Sequence, residues 1–366
     1  MMHQNRSKTF AFFRKSLLPI IVNIGLALGL SMVLIAISGS NPFAAIGALF
    51  NGAFGSRDKV LETLVQSTPL IGVGLAIALG FTGGIFNIGA EGQFVFGAVA
   101  CGLVGTLFPG LPMVMYIPLL LVVGMLAGAG WAVIPAIAKI SRGVHEIIST
   151  IMMNYVALYI VHFLVNNYLK VPGDVVAMER LLPAAVIPKV FPQGVSRLSF
   201  SFLIIVIFAV FVFVLLRKSV LGYEIRAVGL NPAAGNYSGI RIQRTMLITF
   251  LLSGALAGLA GGLEVIGLHG RYYDGFAGGY GFAGIPIALL ARRHPIGVII
   301  AGIFMGALKS GALEMQIIAG VPRQLVDVIQ GFIIVFVAGE QALQVLREHF
   351  EGKARLALQK LVKGDA

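Results

Sequence analysis

The most unusual group of polar residues in the sequence lies at positions 83–94, which read GGIFNIGAEGQF. Asn87, Glu91 and Gln93 stand there among glycines, inside a region that is otherwise apolar. Asn87 and Glu91 are four residues apart, so they would share one face of a helix. A carboxylate at the centre of a bilayer costs about 2.5–3.5 kcal/mol, so Glu91 must face a cavity, a partner or another helix.

Two interpretations of this group stay open, and both can hold together. In the first, a helix breaks beside a permeation path, and Asn87, Glu91 and Gln93 belong to that path. In the second, Glu91 caps a helix N-terminus that the glycine-rich break exposes, for structure alone.

Further polar residues interrupt other apolar segments: Asn154, His162, Glu264, Glu314 and Asp327. We take Asn154 and Glu264 as candidates for the permeation path, although a single residue of this kind more often makes an interhelical hydrogen bond. The six histidines are scattered with no pair at ligand spacing, and one cysteine cannot build a cysteine-based metal site. We therefore predict no metal and no cofactor.

Motifs of catalysis and ATP binding do not support an enzyme. Residues 279–284, GYGFAG, fit G-x-G-x-x-G, but no βαβ unit surrounds them, so they predict no dinucleotide site. No G-x-x-x-x-G-K-[ST] sequence occurs, so the chain cannot itself bind ATP through a P-loop. An intramembrane hydrolase would need a paired nucleophile and base that the sequence does not present.

Membrane helices are the elements that must position these residues. Of the 366 residues, 58% are hydrophobic and 11% are charged, against about 25% charged in soluble domains. So few charges cannot cover a water-facing surface, and much of the chain is predicted to face lipid. The net charge of +12 comes from residues between apolar runs, which indicates topology signals and contacts with anionic lipid rather than nucleic acid.

About ten apolar segments define the predicted fold class, an all-α integral membrane protein with some broken or re-entrant helices. They lie near 17–38, 64–81, 85–108, 114–138, 147–168, 200–216, 246–267, 281–291, 296–309 and 324–339. The first is a retained span, because no small-residue cleavage site follows it. The segment near 281–291 is too short to cross alone and is predicted to be a half-helix or re-entrant piece.

Basic residues set the predicted orientation. If the N-terminus is cytoplasmic and ten segments cross, about two thirds of the 27 Lys and Arg residues are cytoplasmic, which favours both termini inside. The predicted parts are a tail 1–16, a transmembrane domain 17–339 with external loops 39–63 and 169–199 and a cytoplasmic loop 217–244, and a tail 340–366. The loop 169–199 either contacts an external partner or is a plain connector.

Glycines at four-residue spacing indicate where helices pack closely, because small residues let two backbones approach in a membrane. The faces concerned are Gly254/Gly258/Gly262, Gly124/Gly128, Gly80/Gly84 and Gly302/Gly306. Cys101 lies in an apolar run and is predicted to pack, with a reactive thiol as the alternative.

The cytoplasmic stretch 217–244 contains a predicted short helix outside the membrane. Asn231 is a favourable N-cap and Pro232 fits the first helical position, so a helix is expected from Pro232 to about Ser238. This stretch is either a basic connector with one helical turn or a helix that docks on a soluble partner.

Four ordered motifs between residues 60 and 340 carry a resemblance to a known family. They are FNIGAEGQ at 86–93, RGVHEII at 142–148, HPIG at 294–297 and the loop that contains Gly222, Arg226, Gly229, Asn231, Pro232, Ala233 and Ala234. With them, the sequence resembles the permease subunits of ABC importers of the branched-chain amino acid, ribose and nucleoside class. It looks most like the permeases for nucleosides and simple sugars.

The resemblance implies that the loop at 229–240 is the coupling helix, seated in a cleft of a cytoplasmic ATPase. It also implies two ATP-binding subunits, an external substrate-binding lipoprotein and a second permease subunit, either a homologous chain or a copy of this one. The location implied is the prokaryotic cell (inner) membrane. The sequence departs from the family at Gly235 and Asn236, where relatives usually keep an Ala-rich helix.

The function predicted on this basis is translocation of a small polar solute by alternating access, driven by a separate ATPase. A nucleoside is the leading substrate class, a simple sugar is next, and a branched-chain amino acid is third. The alternative is an ion-coupled secondary transporter in which Glu91 or Glu264 carries the proton.

Overall fold

The computed structural model describes residues 18–173, 176–191, 196–276, 278–337 and 339. The predicted tails 1–16 and 340–366 lie outside the described residues. Within the described part, the chain is helical, and its only β-type pairings are isolated bridges near the predicted external loop 169–199.

The described helices follow one another from α1 to α13. They are α1 Leu18–Ile37, α2 Pro42–Phe54, α3 Arg57–Thr82, α4 Ala90–Val104, α5 Met113–Arg142, α6 Glu146–Leu164, α7 Ser201–Lys218, α8 Val220–Leu230, α9 Pro232–Tyr237, α10 Ile242–Glu264, α11 Tyr280–Leu290, α12 Pro295–Ala319 and α13 Gln324–Val337. One π-helical turn extends α6 through Val165–Leu169, and another extends α10 through Val265–His269.

Each of the ten apolar segments predicted from the sequence forms a helix. Six helices of the described chain are long and apolar enough to cross a membrane, namely α3, α5, α6, α7, α10 and α12. Shorter apolar helices are α1, α2, α4, α11 and α13. The short segment near 281–291 is the 11-residue helix α11. Crossing by ten segments and the orientation of the chain remain predictions.

Residues 39–63 do not form an open loop, and the sequence-based description of that stretch was wrong in this respect. They contain α2, whose first turn is capped by the Asn41 side chain, and they include the start of α3 at Arg57. Gly52 of α2 packs closely against Gly311 and Glu314 of α12. This helix is apolar, but its 13 residues are fewer than the roughly 20 that span a bilayer, so a search for spanning segments passes over it.

The core is built around α10, which packs against α3, α4 and α5. Backbones approach closely at the predicted glycine faces of α5, α10 and α12: a methyl group at Gly258, for example, would collide with Gly124 and Gly128 of α5. Gly306 of α12 meets Ser67 of α3 in the same manner. The predicted Gly80/Gly84 face was wrong, because α3 ends at Thr82 and Gly84 lies in the turn that follows. Cys101 is fully buried, as the packing interpretation predicted.

Candidate functional site

The break between α3 and α4 is a turn built on glycine. Gly84 adopts a left-handed backbone with φ +73°, which a side chain would disfavour. Asn87 lies in the non-helical segment before α4, whereas Glu91 lies in the first turn of α4. The prediction that these two side chains share a helix face was therefore wrong, because the break places Asn87 outside the helix.

The amides of Asn87 and Gln93 form a closed pair at this break. Asn87 Nδ2 donates to Gln93 Oε1 at 2.9 Å, and Gln93 Nε2 donates back to Asn87 Oδ1 at 3.1 Å. Asn87 Nδ2 also donates to Ser253 Oγ of α10 at 2.8 Å, and Ser253 Oγ donates to the Ala76 carbonyl of α3. The cluster joins α3, α4 and α10 with its polar groups paired, as burial requires.

Asn154 ties α6 to the same break. Its Nδ2 donates to the Ile88 carbonyl at 2.8 Å, and its Oδ1 accepts from the Gly92 N–H at 2.9 Å. Asn87, Gln93 and Asn154, three of the predicted path candidates, are all buried and lie together at this break. In this conformation they hold four helices together rather than facing an open channel.

Glu91 caps a helix, but the helix is α11 rather than its own. Its carboxylate oxygens accept hydrogen bonds from the N–H groups of Gly279 and Gly281, at the start of α11. Only 2% of Glu91 is exposed. A negative charge at a helix N-terminus is stabilised by the helix dipole and by the free N–H groups there. This contact explains how a short helix can begin among buried residues.

A second polar group lies around Glu264, which ends α10 and is 4% exposed. Its Oε1 is 3.4 Å from His269 Nε2. Lys309 of α12 places its Nζ 3.7 Å from the centre of the Tyr280 ring, a cation–π contact, and its charge is attracted to Glu264, Asp327 and Glu91. The sequence analysis missed Lys309, because it ended the span near residue 309 whereas α12 continues to Ala319.

A cavity of about 350 Å³ opens beside Lys309, between α3, α12 and α13. Its lining residues are Gln66, Lys309, Ala312, Arg323, Gln324, Val326 and Asp327. Of the other predicted membrane-depth residues, Glu314 pairs with Lys59 at 2.9 Å, and His162 pairs with Asp274. These two pairs lie away from the Asn87 break.

The short helix predicted from Pro232 to about Ser238 is present as α9, Pro232–Tyr237. Asn231 Oδ1 accepts from the N–H groups of Ala233 at 3.0 Å and Ala234 at 3.2 Å, and Pro232 occupies the first turn. The helix ends at Tyr237, which is 94% exposed, and Leu230 before it is 86% exposed. Both side chains are therefore open to contact from outside the chain.

Helix α8 connects α9 to the buried break. Gly222 packs against the backbone of Leu215 and Leu216 in α7, and Arg226 Nε donates to the Gly222 carbonyl at 3.3 Å. Gly229 lies directly on the Thr82 carbonyl and on Gly83, at the end of α3. The loop 217–244 and the break that contains Asn87 are therefore in backbone contact, through Gly229 on one side and Gly83 and Gly84 on the other.

Comparisons with known proteins agree with this architecture. The family model described as branched-chain amino acid transport system / permease component matches residues 59–338. The guanosine ABC transporter permease protein NupP of Bacillus subtilis is 39% identical over 333 residues, which cover 90% of this chain and 94% of the relative. No solved structure gives a significant match.

Two further relatives align with most of the chain. The glucose ABC transporter permease protein TsgB13 of Haloferax volcanii is 36% identical over 305 residues, with 81% of this chain and 80% of the relative covered. The nucleoside ABC transporter permease protein NupB of Lactococcus lactis is 33% identical over 342 residues, with 91% and 93% covered. NupQ and NupC, from the same two bacteria as NupP and NupB, also match, at 29% and 27% identity.

The family model covers most of the chain, and the named relatives align with the chain over 80–94% of their own lengths. Those relatives are transport permeases, and the apolar helices described above fit a multi-pass membrane protein. The chain belongs to the family of branched-chain amino acid transport system permease components, and it is a permease subunit of an ABC importer.

Proposed function

We propose that this permease translocates nucleosides, with simple sugars as the second substrate class. The single observation that carries the nucleoside assignment is the 39% identity over nine-tenths of the chain to a permease named for guanosine. A permease named for nucleosides supports it at 33% identity, and one named for glucose, at 36%, keeps sugars as the second candidate.

The proposed assembly contains two ATP-binding subunits, an external substrate-binding lipoprotein and a second permease subunit. The pairs NupP and NupQ in one bacterium and NupB and NupC in another favour a homologous, different chain as that second subunit. We place the complex in the prokaryotic cell (inner) membrane. This chain would cross about ten times with both termini in the cytoplasm, since basic residues are concentrated in the segments assigned to that side.

The proposed coupling mechanism starts at α9. ATP-driven closure of the ATPases pushes the α9 segment, with Asn231 holding its first turn together. Helix α8 passes the displacement through Gly229 to the end of α3, and the turn that follows carries Asn87. The buried amide cluster then shifts α3, α4 and α10 together, because packed interfaces move between discrete arrangements rather than deforming continuously.

For the permeation path, we propose a polar wall that contains Glu264, the predicted candidate whose charge interacts with that of Lys309 beside the cavity of about 350 Å³. Its neighbours Lys309 and Tyr280 extend this polar wall, and Asp327 lines the cavity itself. We propose that substrate passes this wall, where charged and aromatic groups can contact ribose hydroxyls and a base. Asn87, Glu91, Gln93 and Asn154 would then act on the path by positioning the helices that border it.

The decisive experiment is reconstitution of the chain with its ATPases, second permease and binding protein in proteoliposomes. We expect uptake of radiolabelled guanosine that requires ATP and stops when the ATPase is inactivated. Uptake of glucose instead of guanosine under the same conditions would favour simple sugars as the substrate class. Uptake by this chain alone, driven by a pH gradient, would support the ion-coupled alternative and overturn the importer mechanism. In either case the chain itself would lower no chemical barrier.

A further inference from the structure

Lys309 is a charged residue within an apolar helix. It lies near the middle of the 25-residue helix α12, and an ionisable side chain at such a position is costly and mostly serves a substrate or ion path. Its Nζ lies 3.7 Å from the centre of the Tyr280 ring, and its charge is attracted to those of Glu264, Asp327 and Glu91. No described residue forms a hydrogen bond or ion pair with Lys309. Its N–H groups are therefore available to another molecule.

The cavity of about 350 Å³ brings this ammonium together with a carboxylate. Asp327, near the start of α13, lines the cavity and makes no hydrogen bond or ion pair with the described residues. Arg323 lines it as well, and in the described part of the chain it is not paired with Asp327. Small-molecule sites in proteins have volumes of roughly 300–1,000 Å³. A donor and an acceptor therefore share a space of ligand size without occupying each other's hydrogen bonds.

Gln66 of α3 adds an oriented acceptor to the same cavity. Its Nε2 donates to Glu62 Oε1 at 3.0 Å, one turn earlier on the helix. An ionised carboxylate only accepts, so the amide nitrogen faces Glu62 and the carbonyl oxygen of Gln66 stays available. Gly306 of α12 packs directly on Ser67, the next residue of α3. This contact holds the two helices together where Gln66 and Lys309 line the cavity.

Guanine presents the complementary pattern of hydrogen-bonding groups. Its O6 and N7 atoms are acceptors, and lysine pairs with them when proteins read this base in DNA. Its N1–H and N2–H₂ groups, next to O6 on the same ring, are parallel donors that one carboxylate can accept together. Adenine carries an amino donor where guanine has O6, so it would set a donor against the ammonium. The cavity therefore fits a 6-oxopurine better than a 6-aminopurine.

We propose that Lys309 and Asp327 form a selectivity pair for 6-oxopurine nucleosides. Lys309 donates to O6 and N7, Asp327 accepts from N1–H and N2–H₂, and the Gln66 carbonyl accepts from a ribose hydroxyl. This inference rests on the proposed function, because it requires nucleosides to pass the polar wall beside the cavity. It extends that function, because the permease itself, and not only its binding protein, then discriminates between purines.

Competitive uptake by the reconstituted complex tests the selectivity pair, with guanosine and adenosine supplied together under different radiolabels. The binding protein is identical in every sample, so a change in the ratio of the two uptakes belongs to this chain. Lys309→Met keeps a side chain of similar length without donors. It should lower the guanosine-to-adenosine ratio by about fivefold or more, because the O6 acceptor is then left unpaired in the site.

Lys59→Met is the matched control. Lys59 pairs with Glu314 at 2.9 Å, so it also joins α3 to α12, but it does not line the cavity. Its replacement removes one charge between the same two helices and should leave the guanosine-to-adenosine ratio at the wild-type value.

Asp327→Asn is a second, independent variant. Asp327 is exposed and unpaired among the described residues, so the substitution should not disturb assembly. The amide offers one acceptor and one donor in place of two acceptors. Guanosine should therefore lose more uptake than inosine, which keeps O6 but has no 2-amino group. Asp327→Glu keeps the carboxylate and should retain the preference for guanosine.

The outcomes separate this inference from the proposed function. If the wild type takes up guanosine but both ratios stay unchanged in Lys309→Met and Asp327→Asn, the selectivity pair is refuted and the nucleoside importer stands. An equal change in Lys59→Met also refutes it, because any lost charge between α3 and α12 then has the same effect. Uptake of glucose without either nucleoside would show that the substrate class is wrong, and this inference fails with it. If Lys309→Met does not assemble, the Asp327→Asn result decides.

Discussion

Replacement of Gly229 by alanine perturbs the contact between α8 and the end of α3 with a single methyl group. That methyl would collide with the Thr82 carbonyl oxygen and with the backbone of Gly83. Both are backbone atoms, so no flexible side chain can move aside to relieve the clash. Either α8 shifts away from α3 or the turn that leads to Asn87 is displaced.

The size of the effect follows from packing costs. An extra methyl group in a closely packed contact costs about 1–3 kcal/mol. This cost falls on the arrangement in which α8 contacts α3. The equilibrium between that arrangement and one in which the two helices are apart then shifts by about 5- to 150-fold. Alanine is the better helix former by about 1 kcal/mol, so a fall in coupling cannot come from a loss of helix propensity in α8.

Gly235→Ala provides the matched control. Gly235 lies in α9, six residues after Gly229, and a methyl group there would touch Val228 only at an ordinary distance of 3.5 Å. Both substitutions add the same methyl group to a helical glycine. The difference between them isolates the contact with α3.

The assay is the ratio of nucleoside transported to ATP hydrolysed by the reconstituted complex. Gly229→Ala should lower this ratio at least fivefold while ATP hydrolysis continues, because the ATP sites belong to other chains. Gly235→Ala should keep the wild-type ratio. A wild-type ratio in a correctly assembled Gly229→Ala complex, or an equal loss in both variants, would refute transmission through this contact.

Three further predictions concern other contacts. Glu91→Gln removes the charge that caps α11 and should lower Tm in detergent by more than Glu62→Gln, whose partner Arg197 is largely exposed; equal shifts would contradict the cap. Gly258→Val should reduce the yield of folded protein in size-exclusion chromatography, because α5 packs directly against Gly258. The control Gly130→Val adds its side chain to open space and should keep the wild-type yield, and equal yields of the two variants would contradict the role of the glycine face. Asn231→Ala should weaken the first turn of α9 by about 0.5–2 kcal/mol and reduce retention of the ATPase in pull-downs, and undiminished retention would count against docking.

The sequence by itself determined the features that depend on local physical chemistry. Hydropathy located the apolar helices, including the six described ones that are long enough to cross a membrane, because spanning lipid requires a run of apolar residues in one stretch of chain. Asn231 and Pro232 located the start of α9, since a cap acts within three residues of itself. Glycine spacing located the face of α10 that contains Gly258, because the helical repeat places such residues on one side.

Tertiary structure decided which distant residues meet. The N–H groups that Glu91 caps lie 188 and 190 residues further along the chain, and no local pattern encodes such a distance. The same holds for the contact between Gly229 and Gly83. Periodicity specifies which face of a helix is buried, but the partner of that face depends on how all the helices pack together. The role of Glu91 as the cap of α11 therefore depends on the contact between α4 and α11, which the sequence does not reveal.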